Sequence, residues 1–509
     1  MGKGRKPKVD WKAVHQLVDE AHEQPLSDTS HQQLKATVSL LEAYLADAKS
    51  SEKGEKLLGS GSSKPAEKRK GGKGRNGADD HLGAEVQNVP HESLHHGDCC
   101  PECASGKVYE CKKPAKDIRF EAQPLIKATV YERQRLKCSH CDATFTAAPP
   151  PGAGDEKYDE SVSAALAVSR FGAGLPALRL ENLLRQFGIL LPDSTQWELV
   201  RDAADLAQPV VNALVRYGAN CKNLYIDDTS MKMIEQKRHL PGRTGLFTTA
   251  IVAEGAEAKV ALYFTGEQHA GENLADVLRY RAEASGAPLV MFDALSRNHP
   301  KAQKERIDIV VSNCITHGRR NFVYALNNFP DECTYLLSEL GQVYHNEARA
   351  KELGLDPDGR LAFHQTHSQP VLAEIHEWAT RIYDNTTEPN SALGKAVAYL
   401  LKHWRGLTEF LRTPGAALEN NICERAIKKM VLYRKNSLFY RNENGSSVGD
   451  IFMSLIHTCE LNSVPAFTYL VAILKNADQA QANPEAWLPW EFAARLDNKS
   501  PPAEVLPQG

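Results

Sequence analysis

Two sets of residues in this 509-residue chain have types and spacings that could do chemistry. The first is cysteine: of eleven in the chain, Cys100 with Cys103 and Cys138 with Cys141 form two Cys-x-x-Cys pairs separated by residues 104–137. Each pair sets two thiolates on one tight turn, and two such turns supply the four sulfurs of a tetrahedral zinc site. Protein fills every position of such a site, so the Zn2+ would be structural. Cys99 and Cys111 are near enough in sequence to replace one of the four. The second set is acidic. Asp227 and Asp228 follow the apolar run Leu224, Tyr225, Ile226; adjacent like charges at the edge of a core repel and need compensation. Asp293 follows another apolar run, "PLVMF", and Glu424 opens the basic segment "LENNICERAIKKMVLYRKN", with Arg425, Lys428, Lys429, Arg434 and Lys435. Carboxylates that hold Mg2+ beside Lys and Arg that hold a polyanion suit phosphate chemistry.

The elements that must position these groups are legible from periodicity. "NLYIDD", "GLFTTAIVAEG" and "KVALYFTGE" read as three successive strands, followed by a helix "GENLADVLRYRAEAS", a strand "PLVMFDAL", and "IDIVVSNC" running into a helical "THGRRNFVYALNNF". That order is a ribonuclease-H-like α/β topology. It predicts Asp227 at the end of the first, central strand and Asp293 at the end of the fourth beside it, close enough to share a divalent metal. The long gap to Glu424 predicts a helical insertion at about 325–415, where "VLAEIHEWATRIYD" and "LGKAVAYLLKHWRGLTEFL" look helical. The catalytic domain then spans 221–475, with a C-terminal tail over 476–509.

Upstream, "PALRLENLLRQFGILLPDSTQWELVRDAA" reads as a helix, a turn at Gly188 and a second helix capped by Ser194 or Thr195, which gives 151–220 the pattern of a helix-turn-helix DNA-binding region. Residues 91–150 form the zinc-ribbon-like domain. Residues 50–90 are a basic linker whose Gly-, Ser- and Lys-rich text cannot bury enough apolar surface to order itself. Residues 1–49 form a helical segment in which Leu34, Val38, Leu41 and Leu45 could make a short coiled-coil seam.

Composition narrows the class. Hydrophobic residues are 42% and charged residues 25%, no apolar run nears the ~18 residues of a membrane span, and the basic N-terminus is followed by no apolar secretory core. A cytoplasmic protein without a membrane partner is expected. The net charge of -3 confines any nucleic-acid surface to a local patch.

The segments "IDDT", "MFDALSRN", "SNCITHGRR" and "ENNICERAIKKMVLYRKNSLFY" resemble the DDE transposases of the insertion sequence 66 family, and the likeness runs from the cysteine pairs to "AWLPWEF" near the C-terminus. The resemblance implies a triad of Asp227, Asp293 and Glu424 holding Mg2+ or Mn2+, with Arg319, Arg320, Arg425, Lys428, Arg434 and Lys435 as DNA contacts. It further implies a bacterial, nucleoid-associated enzyme that cuts double-stranded DNA at terminal inverted repeats and joins the ends to target DNA. Such an enzyme acts as a homo-oligomer on DNA, with small accessory proteins of the same element as plausible companions. Asp228 stands where the family has Glu, and "ALSRN" replaces the aromatic expected after Asp293. Asp228 and Glu419 remain rivals for two of the ligand positions, and Cys314 with His317 could pack under the fifth strand or bind a second zinc. A nuclease or resolvase that only hydrolyses, and a noncatalytic zinc-ribbon regulator, share most of these features. An aspartyl phosphatase fits poorly, because its two aspartates are spaced by one residue.

Overall fold

The computed structural model describes residues 156–235, 245–294, 298, 308–385 and 387–497, with short stretches at 93–99, 101, 105–109, 125–137, 144–150 and 153–154. The expected N-terminal seam, the linker and the four cysteines Cys100, Cys103, Cys138 and Cys141 lie outside the described residues. The chain divides into two compact units. In the unit that includes residues 62–157, β1 (Arg135–Lys137) pairs antiparallel with β2 (Thr144–Thr146), Leu136 opposite Phe145, and an isolated bridge joins Cys99 to Lys107.

Among the described residues the larger unit opens with α1 (Glu160–Ala167), capped by the Asp159 carboxylate accepting from the Ser161 N–H at 2.8 Å. Helix α2 (Ala177–Gln186) contributes residues to both units, and Gly188 takes the positive φ of 75° that the turn after it requires. Helix α3 (Asp193–Asn220) begins differently from expectation. Pro192 occupies the cap position and no side chain caps the helix, so Ser194 and Thr195 lie inside its first turn. With φ fixed by its ring, Pro192 starts the helix without the hydroxyl cap. The helix then runs 28 residues, straight into the first strand of the main sheet.

That sheet contains β3 (Asn223–Met231), β4 (Leu246–Glu254), β5 (Lys259–Gly266), β6 (Leu289–Phe292) and β7 (Val310–Asn313) in the order β5-β4-β3-β6-β7. The first three strands are antiparallel neighbours, and β3-β6 and β6-β7 are parallel. Helix α4 (Ala270–Leu278) connects β5 to β6. Strand β3 is longer than the apolar run predicted: Asp227 and Asp228 sit inside it, paired with Ala250 and Thr249, because β4 stays bonded to it as far as Met231 while β6 leaves after Tyr225.

The outer edge of β5 is closed by a helix. The N–H groups of Lys259, Ala261, Tyr263 and Thr265 donate to side chains of Asn462, Thr458, Ser454 and Asp450 at 2.6 to 3.1 Å. Asp450, Ser454 and Thr458 belong to α12 (Glu443–Leu461) and Asn462 is its C-cap. Two residues of strand advance ~6.8 Å and four of helix ~6 Å, so the two spacings match and the edge is protected from pairing with another chain.

After β7 come α5 (Ile315–Ala325) and the insertion: α6 (Pro330–Glu352), α7 (Pro357–His367), α8 (Gln369–Asn385), α9 (Ala392–Lys402) and α10 (Trp404–Leu407). Its core joins Phe322 of α5 to Leu336, Leu340, Ile375 and Val397. Helix α11 (Asn421–Ser437) returns to the sheet, and α13 (Ala466–Lys475), α14 (Ala477–Ala482) and α15 (Pro489–Asp497) follow α12, with Trp487, Leu488 and Phe492 buried. Among the described residues no helix is long and apolar enough to cross a membrane.

Candidate active site

Register brings the two aspartates together. Tyr225 of β3 lies opposite Met291 of β6, and two residues further along each parallel chain stands an acid, Asp227 and Asp293. Successive side chains of a strand point to opposite faces, so the adjacent carboxylates of Asp227 and Asp228 part company. The Asp228 side chain is 2% exposed and meets His269, the N-cap residue of α4, at 3.3 Å. Asp227 faces α11, where its Oδ1 accepts from the Asp228 N–H at 2.8 Å.

Helix α11 is seated by Asn420, whose side-chain NH2 donates to the Ile226 carbonyl at 2.9 Å, and by the Cys423 thiol, which donates to the Ala250 carbonyl at 3.3 Å. These bonds place Glu424, in the first turn, over β3 and β4. Burial first, then the charge of Asp293, with Asp228 and Glu424 adding, pushes Asp227 up to about 7 despite the backbone bond that favours its charged form. Asp293, Asp228 and Glu424 are thus the like charges that act on Asp227. Glu419, the rival to Glu424, points elsewhere: it accepts from Thr316 at 3.3 Å and from the Asn421 side chain.

Polar side chains meet this acidic group. Asn298 donates to Asp293, and Arg320 lies 3.3 Å from Glu424 Oε2. Among the described residues seven buried side-chain N or O atoms lack a hydrogen-bond partner, and four belong here: Glu424 Oε1, His317 Nδ1, Asn420 Oδ1 and Asn298 Oδ1. Buried polar atoms are normally satisfied, so a concentration of orphans marks a place where something else binds.

Cys314 and His317 stand beside Glu424, and one donor atom of each lies within 4.8 Å of the others. Burial pushes the Cys314 thiol up to about 11, its sulfur accepts from the Asn420 N–H at 3.3 Å, and Arg320 pairs with Glu424. The His317 pKa is lowered by burial and then by Arg320, against the pull of Glu424.

The basic residues divide. Arg425, Lys428 and Lys435 are exposed on α11. Arg434 turns inward to β3, donating to Thr229 at 3.1 Å and to Ser230 at 3.0 Å. Arg319 lines a small apolar cavity with Leu340, Leu372 and Trp404 of the insertion. Asn420 and Asn298 were not singled out by their sequence; for Asn420 the available signal was an Asn directly before a helix, the usual position of a cap.

Fold and site together define a mixed α/β protein with partly buried carboxylates near one another and exposed cations on the adjoining helix. A family model described as Transposase IS66 family matches residues 156–447, more than half of the chain, and the chain belongs to that family of transposases. Relatives from Sinorhizobium fredii (strain NBRC 101917 / NGR234) include "Uncharacterized protein y4jD", 24% identical over 410 residues that cover 77% of this chain and 78% of the relative. "Uncharacterized protein y4hP", from the same strain, is 23% identical and covers 77% of this chain and 73% of its own length.

Proposed function

We propose that this transposase cuts DNA at the terminal inverted repeats of its element and joins the freed ends to target DNA, with Asp227, Asp293 and Glu424 as ligands for Mg2+ or Mn2+. The observation that supports the reading is Asp227, pushed up to about 7 by burial and by the charges of Asp293, Asp228 and Glu424, together with a Glu424 oxygen buried without a hydrogen-bond partner. An all-oxygen set suits hard divalent ions, and such ions supply activation of an attacking oxygen and neutralisation of the leaving one. The remaining work falls to the chain. Arg320 orients Glu424, Asn420 locks α11 to β3, and Arg425, Lys428 and Lys435 hold phosphates. In the first step water attacks the phosphodiester at the element end and leaves a free 3'-hydroxyl. In the second that hydroxyl attacks a target phosphodiester, its proton is lost to solvent, and the target strand departs with its own 3'-oxygen, so no protein–DNA bond forms.

The strand order β5-β4-β3-β6-β7 supports a ribonuclease-H-like core for this chemistry. The four cysteines Cys100, Cys103, Cys138 and Cys141 would hold structural zinc in a ribbon, and assembly on DNA would be homo-oligomeric. A strand-transfer assay on a DNA fragment carrying the element with its flanking sequence tests the reading. Asp227→Asn, Asp293→Asn and Glu424→Gln should each bind the fragment and yield neither cut nor joined product. Joined product from any of the three would overturn the triad, and cut product without joining from the native protein would make it a nuclease.

A further inference from the structure

Arg425, Lys428, Leu432 and Lys435 are the exposed residues on one stripe of α11, three and four positions apart, leading away from Glu424. The stripe stops at an unusual turn. Leu438 has φ 66° and ψ -42°, and the Phe439 N–H donates to the Ser437 carbonyl at 2.8 Å, which makes the positive-φ γ-turn, the rarer and more strained of the two forms. Among the described residues Ser463 is the one other non-glycine residue with positive φ. Both side chains of the turn are large, apolar and outward: Leu438 is 61% and Phe439 44% exposed.

The turn is also held firmly. Tyr440, next in the chain, is buried and stacks on Tyr433 at 5.3 Å, its N–H donates to the Lys232 carbonyl at 2.9 Å, and its carbonyl accepts from the Ile234 N–H at 3.1 Å. Strain that persists because its surroundings fix it is characteristic of binding surfaces. An apolar wedge at the end of a cationic stripe suits a partner that is flat and apolar on its face and anionic along its edge. A nucleobase on its phosphate backbone has both properties.

We infer that Leu438 and Phe439 form a wedge that takes one DNA base out of its stack, while Arg425, Lys428 and Lys435 follow the phosphates between that base and the catalytic carboxylates. The inference rests on the proposed DNA strand-transfer reading, but not on its metal chemistry. At 1.5 Å per residue the helix from Glu424 to Leu438 spans ~21 Å, about six base-pair steps of 3.4 Å.

The test compares affinity of the full-length protein for two short duplexes of one sequence, one fully paired and one with a single bulged 2-aminopurine. The native protein should prefer the bulged duplex about tenfold and change the fluorescence of the bulged base. Phe439→Ala should lose that preference while binding the paired duplex as before, whereas Lys435→Ala should weaken both equally. Leu438→Gly guards against misfolding: glycine accepts the positive φ, so its melting temperature should hold or rise while the preference falls. The wedge is refuted if native protein shows no preference, or if Phe439→Ala and Leu438→Gly keep it. It is equally refuted if those variants change only the sedimentation of the protein, which would make the patch a contact with a second copy. Asp227→Asn should keep the bulge preference, so failure of the triad leaves this result intact.

Discussion

Glu347 in α6 and Asp227 in β3 are both carboxylates withdrawn from water, and their surroundings drive them in opposite directions. Burial alone would raise Glu347, but the His364 hydrogen bond at 2.9 Å, both guanidinium bonds from Arg360 at 2.8 Å and Lys351 at 2.9 Å outweigh it and lower the group to about 2. His364 in turn meets Ser368 at 2.9 Å, so the cluster is closed within the insertion. Around Asp227 the neighbours are further acids, and the group is pushed up to about 7. The contrast separates a carboxylate used to hold helices together from one left incomplete. Glu347 is matched by two cations, Arg360 and Lys351, whereas among the described residues no positive charge lowers Asp227 in the same way, which is the pattern expected where a cation is supplied from outside.

The largest expected effect lies on the incomplete side. Asp227→Asn should lower strand cleavage by ~10³-fold, the loss of several kcal/mol of charge stabilisation at the transition state, and urea melts should show no loss of stability. Glu347→Ala should do the reverse. Removing one partner of a buried ionic cluster costs about 3–5 kcal/mol, read as a lower urea midpoint, while strand transfer by the folded fraction persists. If both variants lost stability and both kept activity, the distinction between the clusters would disappear.

Next in size is the response to metal. A ligand at a hundredfold excess over its Kd stabilises by about 2.7 kcal/mol, so Mn2+ should raise the melting temperature of the native protein and of Glu347→Ala, but not of Asp227→Asn. Without metal, pH should resolve the pair. Asp227 has a folded value near 7, above its ordinary 3.8; the native state therefore holds the extra proton, and its contribution to stability is lost as pH rises from about 4 to 7. Glu347 falls below its ordinary 4.5, so its contribution is present above that value and lost as pH drops towards 2. Burial also raises Asp450 to about 7, with the same sign as Asp227, and the informative quantity is the difference between native protein and Asp227→Asn. The variant's decline between pH 4 and 7 should be shallower. The smallest effect belongs to Lys435→Ala, which should reduce the salt dependence of DNA binding by about one unit of slope.

Much of this arrangement was legible in the sequence. Apolar runs of strand length marked β3 to β7 in order, and the acids after two of them, with Glu424 before a basic run, named the cluster. What escaped depended on partners distant in sequence. The length of β3 past Asp228 is set by β4, the burial of Asp228 by His269, and the inward turn of Arg434 by Thr229 and Ser230. Arg319 and Arg320 are neighbours in sequence, yet helical geometry sends the first towards the insertion and the second to Glu424. The Leu438 turn has no glycine to announce it; its conformation is imposed by the anchoring of Tyr440.

Iron-directed cleavage of the protein tests the central claim most directly. With Fe2+ in place of Mg2+ and a reductant to generate hydroxyl radicals, the backbone should break near Asp227, Asp293 and Glu424, and Glu424→Gln should abolish all three cuts. Breaks near Glu347, or none above background at the three acids, would contradict the account.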